Sequence, residues 1–378
     1  MSNKDTIQKT LSLGDIKING AHPWDIQVHN ERLYGRVLAQ GSLGLGESYM
    51  DGWWDSEKLD EFFNKILRAC LDKKVKLNAK VILNALYARL VNLQSVKRAF
   101  QIGAKHYGIG NDLFERMLDS RLAYSCGYWN PSASSGLKRS ANLDEAQENK
   151  LDLICKKLGL KKGMKILDIG CGWGGFVKFA AERYGVEAVG ITVSKEQAEF
   201  AKKKCQGLPI EIKLQDYRSV SGVFDRVISV GMIEHVGHKN YRTYMRVVER
   251  VLKDDGLFLL HAIGKDESVA STNPWIEKYI FPNSMLPSSA QLTLAFDMIF
   301  VMEDWHNFGH DYDRTLMAWF ENFNKTWSEI AEKYGERFYR MWKYYLLSCA
   351  GAFRARKIQL WQIVLSKNGV PGGYTSIR

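Results

Sequence analysis

From residue 161 onward the chain alternates short apolar runs with stretches of helical periodicity, and this rhythm restricts the fold more than any other feature of the sequence. The runs are residues 166–169, 188–191, 210–214, 227–230 and 257–260, most of them about twenty residues apart. Runs that short read as strands, and helix-length segments between them make βαβ units. The expected fold class is α/β, with a Rossmann-like, doubly wound, mostly parallel sheet. Ligands in such sheets bind beyond the carboxyl ends of the strands. Those ends therefore carry the functional reading.

The first run leads into Asp168-Ile169-Gly170-Cys171-Gly172-Trp173-Gly174-Gly175. Glycines there allow a tight turn and a close approach of ligand to backbone, and the helix that follows offers unpaired N–H groups to an anion. The spacing fits two patterns. Gly170, Gly172 and Gly175 satisfy the dinucleotide pattern GxGxxG, whereas Gly170, Gly172 and Gly174 satisfy the GxGxG loop of methyltransferases. A dinucleotide site carries an acid about twenty residues later for the ribose hydroxyls. Ile191-Thr192-Val193-Ser194 stands there instead. A purely structural tight turn also has this composition; the loop's place after the first strand, behind an acid, favours a nucleoside ligand.

Later strand ends add ionisable groups. The third ends at Gln215-Asp216-Tyr217, where a carboxylate can accept the amine of an adenine and a ring can stack on it. The fourth runs into Gly231-Met232-Ile233-Glu234-His235-Val236-Gly237, and the fifth ends at His261-Ala262-Ile263-Gly264. Glu234 and His261 are thus expected to project from neighbouring strand ends into one cleft. A histidine closing an apolar strand is ordinarily a satisfied core residue; a glutamate beside it points toward chemistry.

The N-terminal region reads differently. The chain has 378 residues, more than the roughly 100–200 of one ordinary domain. Gly41, Gly44, Gly46 and Gly52 punctuate a turn-rich stretch ending in Trp53-Trp54, and Leu59, Phe62, Phe63, Ile66 and Leu67 recur at helical spacing behind an Asp55-Ser56 cap. Leu83, Leu86, Leu90 and Leu93 make a second stripe, and residues 130–136 read as an exposed loop. The expected division is a small, mainly helical domain over 1–95 with no evident chemistry of its own, and a second domain over 96–378 that carries the glycine loop and the ionisable strand ends.

Lys and Arg number 53 against 42 Asp and Glu, a net charge of +11 that favours an anionic partner. Residues 333–357 concentrate it: Lys333, Arg337, Arg340, Lys343, Arg354, Arg356 and Lys357 stand against Glu336 alone, with seven aromatic residues interleaved. Aromatic bodies beside cations suit a lipid headgroup boundary, and they equally suit a solvated helix face over a packed aromatic underside. No stretch approaches the roughly 18 apolar residues of a membrane span. The polar start Met1-Ser2-Asn3-Lys4-Asp5 lacks a secretory core, and six irregularly spaced cysteines make no disulfide framework. The expected location is cytoplasmic, peripheral on the inner face of the cell membrane.

Several longer motifs then coincide. GSLGLGESYMDGWW at 41–54, HYGIGNDLF at 106–114, YSCGYW at 124–129, the glycine loop, GMIEHVG at 231–237, WHNFG at 305–309 and CAGAFR at 349–354 together resemble the cyclopropane-fatty-acyl-phospholipid synthases and their mycolic acid relatives, within the S-adenosylmethionine-dependent methyltransferases. The resemblance runs from about residue 15 to about residue 365, and its N-terminal segment is similar to the bacterial phospholipid enzymes. It implies that Tyr124, Ser125, Leu167, Asp168, Gly170, Cys171, Gly172, Trp173, Gly174, Gly175, Thr192, Gln197, Asp216 and Tyr217 hold S-adenosylmethionine, with Thr192 and Gln197 in place of the absent ribose acid. It also implies that Cys126, Glu234, His261, Ile263 and Tyr312 hold a bicarbonate ion, Cys126 and Ile263 through backbone groups. Cys349 matches a cysteine regarded in this family as a candidate nucleophile; it also lies in an apolar helical run, where cysteine packs. The implied activity is methyl transfer to a cis double bond of phospholipid acyl chains, with bicarbonate-assisted deprotonation closing a cyclopropane ring. The implied partner is an anionic phospholipid bilayer with unsaturated chains, and a homodimer is expected.

Rival readings fit less well. His235 with His238, and His306 with His310, have metal-like spacing, but Gly237 and Gly309 disturb both and no cysteine pair joins them, so no metal site is expected. An NAD-dependent oxidoreductase lacks its acid at Thr192. A nucleic-acid methyltransferase would show a base-binding motif after the fourth strand, where Gly231-Met232-Ile233-Glu234 stands, so no nucleic-acid partner is expected. A non-catalytic lipid-binding module would not need clustered ionisable residues behind an intact glycine loop.

Overall fold

The structure is a computed structural model that describes residues 2–71, 110–130, 139–269 and 271–378. The leucine stripe at 83–93, residues 106–109 of the HYGIGNDLF segment and the loop at 131–136 lie outside the described residues. The chain divides into two compact units. One comprises Met1–Val91, Ala270–Pro282 and Tyr312–Ile358; the other comprises Asn92–Val269, Asn283–Asp311 and Gln359–Arg378.

The second unit holds the expected α/β sheet. Its strands are β3 (Lys165–Ile169), β4 (Glu187–Thr192), β5 (Ile210–Leu214), β6 (Phe224–Val230), β7 (Leu252–Lys265), β8 (Val301–Asn307) and β9 (Ile358–Ser366), in the order β5-β4-β3-β6-β7-β9-β8. The pairs β5/β4, β4/β3, β3/β6 and β6/β7 are parallel, and β8 runs antiparallel to β9. Apolar side chains alternate between two cores, as the pleat requires. Leu167, Ile169, Phe258 and Leu260 face one core with Tyr244 and Val248, while Ile166, Leu257 and Leu259 face the other with Ile154, Phe176 and Val177. Burial on both faces explains why the parallel strands read as continuous apolar runs. The strand order reverses between β3 and β6, the place where such sheets open a ligand crevice.

The first unit is mainly helical, with a two-stranded antiparallel ribbon of β1 (Gln27–Val28) and β2 (Trp54–Asp55). In this unit the N-terminal residues are joined by segments 270–282 and 312–358, which the sequence reading placed with the catalytic domain. Residues 42–50 are a helix rather than a turn-rich stretch. Its glycines serve close packing: a Cβ at Gly44 would collide with the Arg36 carbonyl, and one at Gly46 with the Trp275 indole. The helix Leu59–Arg68 buries Leu59, Phe62 and Phe63 as its spacing predicts, but it starts after Lys58 without a side-chain cap. Ser56 donates to the Pro23 carbonyl instead, at 3.3 Å, and Asp55 pairs with Arg340 at 2.8 Å.

Three cations of the basic segment, Arg337, Arg340 and Arg354, are engaged within this unit. Arg340 donates to the carbonyls of Tyr49 and Trp54, and Arg337 pairs with Asp51 at 3.2 Å. Arg354 grips Asp313 with two nitrogens at 2.9 and 3.0 Å and reaches Asp60 at 2.6 Å and Glu61 at 3.1 Å. These three cations are engaged with the unit's own carboxylates and carbonyls.

Candidate active site

A cleft opens at the carboxyl ends of β3, β4 and β5, walled by the glycine loop and by residues 122–125, 150, 191–193, 197, 215–218, 230–232 and 235–236. Most of the residues expected around S-adenosylmethionine meet there: Tyr124, Ser125, Asp168, Gly170, Cys171, Gly172, Trp173, Gly175, Thr192, Gln197, Asp216 and Tyr217. Two do not. Leu167 is buried in the sheet core, and Gly174 packs toward the helix Lys195–Lys204, where a Cβ would press on Cys205 and Ala201. Gly172 has φ +54°, and a Cβ there would meet nothing within 4 Å. Its backbone is therefore left-handed and bare on its open side. The helix Gly175–Tyr184 begins just after the loop.

The β4 end is braced by its own hydrogen bonds. Thr192 donates to the Gln197 amide oxygen at 2.9 Å, Ser194 N–H donates to the Thr192 hydroxyl at 3.2 Å, and Ser194 caps the next helix. Thr192 and Gln197 are thereby held side by side where the dinucleotide acid would stand. At the β5 end, Asp216 is already engaged. It accepts from the Arg218 guanidinium at 2.9 and 3.2 Å and from the Arg218 N–H at 3.0 Å. An ionised carboxylate has about four acceptor sites, so an additional donor still fits. Arg218 also lies over the Tyr217 ring, 4.7 Å from its centroid.

The cleft floor carries a buried charge group that the sequence reading missed. The helix Leu143–Lys157 sends Gln147 and Lys150 inward. Gln147 donates to the Ser125 carbonyl at 2.7 Å, and Lys150 Nζ donates to the Ser125 hydroxyl at 2.7 Å. Asp168 lies nearby with Oδ1 buried and without a hydrogen-bond partner. Burial pushes its carboxyl up to about 7, opposed by the Lys150 charge. Burial likewise brings the Lys150 ammonium down to about 8, opposed by Asp119, Cys126 and Asp168. The only sequence signal was a lysine set three residues from Gln147 and four before Ile154, on the buried side of an amphipathic helix.

A second polar group sits where β7 outruns β6. The last β6–β7 pair is Val230 with His261, and Gly231 N–H still donates to the His261 carbonyl at 2.9 Å. The chain then turns into the Ile233–His235 turn, and Glu234 Oε1 accepts from Ile263 N–H at 2.7 Å. Glu234 Oε2 is buried without a partner, and burial pushes the carboxyl up to about 7 against the pull of that bond. His261 is held neutral by burial, reinforced by Lys150 and Lys157. Its Nδ1 faces Gln362 Nε2 at 3.3 Å. An amide nitrogen only donates, so Nδ1 is the acceptor and Nε2 carries the hydrogen. That Nε2–H has no partner either. Phe308 lies edge-on to the imidazole at 5.9 Å. Cys126 is fully buried, its thiol on the Gly127 carbonyl at 3.1 Å. Gln362 was not foreseen, because β9 reads as an apolar run in which one glutamine carries no signal.

Tyr312 and Cys349 belong to the first unit. Tyr312 is buried, stacked on Phe353 at 4.5 Å and edge-on to Trp319 at 5.9 Å. Cys349 lies on the helix Glu336–Arg354, and burial pushes its thiol up to about 12. A thiol held protonated to that degree is a poor nucleophile. His306, which has metal-like spacing to His310, takes the Lys157 ammonium on Nδ1 at 3.1 Å.

Comparison with known proteins gives the family. The family described as Mycolic acid cyclopropane synthetase matches residues 94–363. The cyclopropane-fatty-acyl-phospholipid synthase of Escherichia coli K12 is 55% identical over 363 residues, covering 96% of this chain and 93% of that protein. Among solved structures, a cyclopropane synthase from Mycobacterium tuberculosis, MmaA2, superposes with a TM-score of 0.66 at 29% identity, covering 73% of this chain and all (100%) of that one. The mycolic acid cyclopropane synthase CmaA1, complexed with SAH and CTAB, gives 0.64 at 29% identity, covering 71% and 98%. Matched by the family over residues 94–363 and 55% identical to a relative over 96% of its length, the chain belongs to the mycolic acid cyclopropane synthetase family.

Proposed function

We propose that this chain transfers the methyl carbon of S-adenosylmethionine to the cis double bond of unsaturated acyl chains in membrane phospholipids and closes a cyclopropane ring there. The observation that carries the reading is the near full-length identity to the bacterial phospholipid synthase, joined to a cleft whose polar residues suit the cofactor. The open face of Gly172, the braced pair Thr192 and Gln197, and the buried Oδ1 of Asp168 fit a nucleoside carrying an amino-acid arm. When bound, the cofactor supplies a methyl group on a sulfonium, and bicarbonate supplies a base.

The chain's own residues orient the reactants and exclude water. An alkene is a weak nucleophile, so its double bond must be held in line with the methyl in a dry site. Addition at one alkene carbon leaves a cation on its neighbour, which ring faces stabilise. Ring closure then requires loss of a proton from the new methyl group. Glu234 Oε2 and His261 Nε2–H, buried and otherwise unbonded, would hold the bicarbonate with Cys126 and Ile263. Ile263 would contribute its carbonyl, because Glu234 already takes its N–H. Neutral His261 donates to an anion, and a carboxyl near 7 can accept from an O–H or donate in turn.

The substrate is reached at the surface of an anionic leaflet on the inner face of the cell membrane. Among the described residues no helix is long and apolar enough to cross a membrane, and a net charge of +11 favours such a surface. The test is incubation with S-adenosylmethionine and vesicles of monounsaturated phospholipid. Mass spectrometry should show a gain of one CH2 per chain, and proton NMR should show cyclopropane CH2 signals. A gain of mass with olefinic or branched-methyl signals would replace cyclopropanation by simple methylation.

A further inference from the structure

We propose that Lys150 binds the carboxylate of the cofactor's amino-acid arm, a role that rests on the cofactor reading above. Lys150 is 2% exposed, lines the cleft and is unused by the chemistry just described. An ammonium carries three donors, and the one bond described for it goes to Ser125 Oγ at 2.7 Å. Asp119 and Asp168 offset that buried charge from nearby, while the bond described engages only one of its three donors. Asp168 faces the same cleft with Oδ1 buried and unbonded.

A buried lysine and a buried carboxylate on one wall present one charge of each sign to the cleft. The ligand chemistry that satisfies both is a zwitterion. The α-carboxylate meets Lys150 and the α-ammonium meets Asp168. The shifts already described agree with this: burial disfavours the charged form of each group, Asp168 rising to about 7 and Lys150 falling to about 8. Filling the cleft with the complementary charges would restore both ionised forms.

The test uses calorimetric titration with two probes. One is S-adenosylhomocysteine; the other is 5′-deoxy-5′-(3-aminopropylthio)adenosine, the same thioether lacking only the carboxylate. The parent should prefer S-adenosylhomocysteine by about 10–100-fold, the worth of one charge-assisted hydrogen bond. Lys150→Met should erase that preference by weakening S-adenosylhomocysteine by about the same factor, leaving the analogue within roughly threefold. Lys150→Gln, which keeps a donor for Ser125, should behave alike and guards against a folding defect in the methionine variant. Equal losses for both probes would make Lys150 a structural brace, and an intact preference would place the carboxylate elsewhere; either overturns the proposal. A parent that binds neither probe would instead remove the cofactor reading itself.

Discussion

Glu234 takes the amide hydrogen of Ile263 at 2.7 Å, two residues past the last pair of β6 and β7. A side chain thus completes a ladder that the backbone has left, and its second oxygen is freed for a ligand. Glu234→Gln preserves the size and the acceptor for Ile263 but loses the charge. Affinity for S-adenosylhomocysteine should stay near the parent value, while turnover should fall about 10²–10⁴-fold. Added bicarbonate should restore part of the rate in the variant and none in the parent. A variant that bicarbonate cannot rescue would make Glu234 itself the base.

The same carboxyl predicts a pH signature. Its folded value of about 7 lies above the ordinary 4.5, so the folded state favours the protonated form. Its contribution to stability is complete below about 4.5 and is lost as pH rises through about 7, a difference of about 3 kcal/mol. His261 moves the other way, so the comparison is between parent and Glu234→Gln without ligand. The melting temperature of the variant should rise relative to the parent from pH 5 to pH 8. Parallel curves would mean that Glu234 is not held in the apolar setting described.

Gly172→Val should abolish binding of S-adenosylhomocysteine. The left-handed backbone at φ +54° costs a branched residue about 1–2 kcal/mol, and the side chain would fill the open side of the loop. Calorimetry on a variant with an intact far-ultraviolet spectrum checks this. Undiminished affinity would place the cofactor elsewhere.

Arg354→Met should destabilise the protein by about 1–3 kcal/mol, because it leaves Asp60, Glu61 and Asp313 facing one another in a half-buried site. Denaturant unfolding measures the effect. Association with anionic vesicles should weaken with added salt in parent and variant alike, since Arg354 is committed inside its unit. A variant of parental stability that binds vesicles less tightly would return this cation to the lipid surface.

Cys349→Ala should keep turnover within about threefold of the parent, because a thiol pushed up to about 12 is protonated at neutral pH. Steady-state rates at pH 7 and pH 9 decide it. A loss of two orders of magnitude at unchanged stability would restore the nucleophile.

The sequence made β3 to β7 legible because parallel strands are buried on both faces and leave continuous apolar runs, and the glycine loop was legible because its φ angles admit little else. β8 was not. Its residues Glu303, Asp304 and His306 break the apolar pattern, and their burial depends on partners far along the chain: Lys157 reaches Asp304 at 3.3 Å, and Arg378 grips it at 2.6 and 2.7 Å. Lys150 and Gln362 escaped notice for the same reason, since a polar residue is ordinarily a surface residue until a distant group claims it. The partners of the basic segment were hidden by distance in the same way. Seven cations against one acid is a true local count, but the acids that answer Arg337, Arg340 and Arg354 lie mostly some 285 to 294 residues earlier, at Asp51, Asp55, Asp60 and Glu61.

That separation sets a timetable for folding during synthesis. A Cβ at Gly351 would collide with the Asp60 carbonyl and press on Phe63, so the helix Glu336–Arg354 is the lid on the apolar stripe of the helix Leu59–Arg68. At about 5–20 residues per second, the ribosome takes roughly 15–50 s to pass from the end of the first N-terminal segment to the end of its partner. Phe62 and Phe63 wait through that interval without their final cover, while the strands β3 to β7 emerge in sequential order and pair with near neighbours. The α/β unit can thus begin to condense before the helical one is complete, and a chaperone that binds nascent chains would find a long-lived target at residues 59–68.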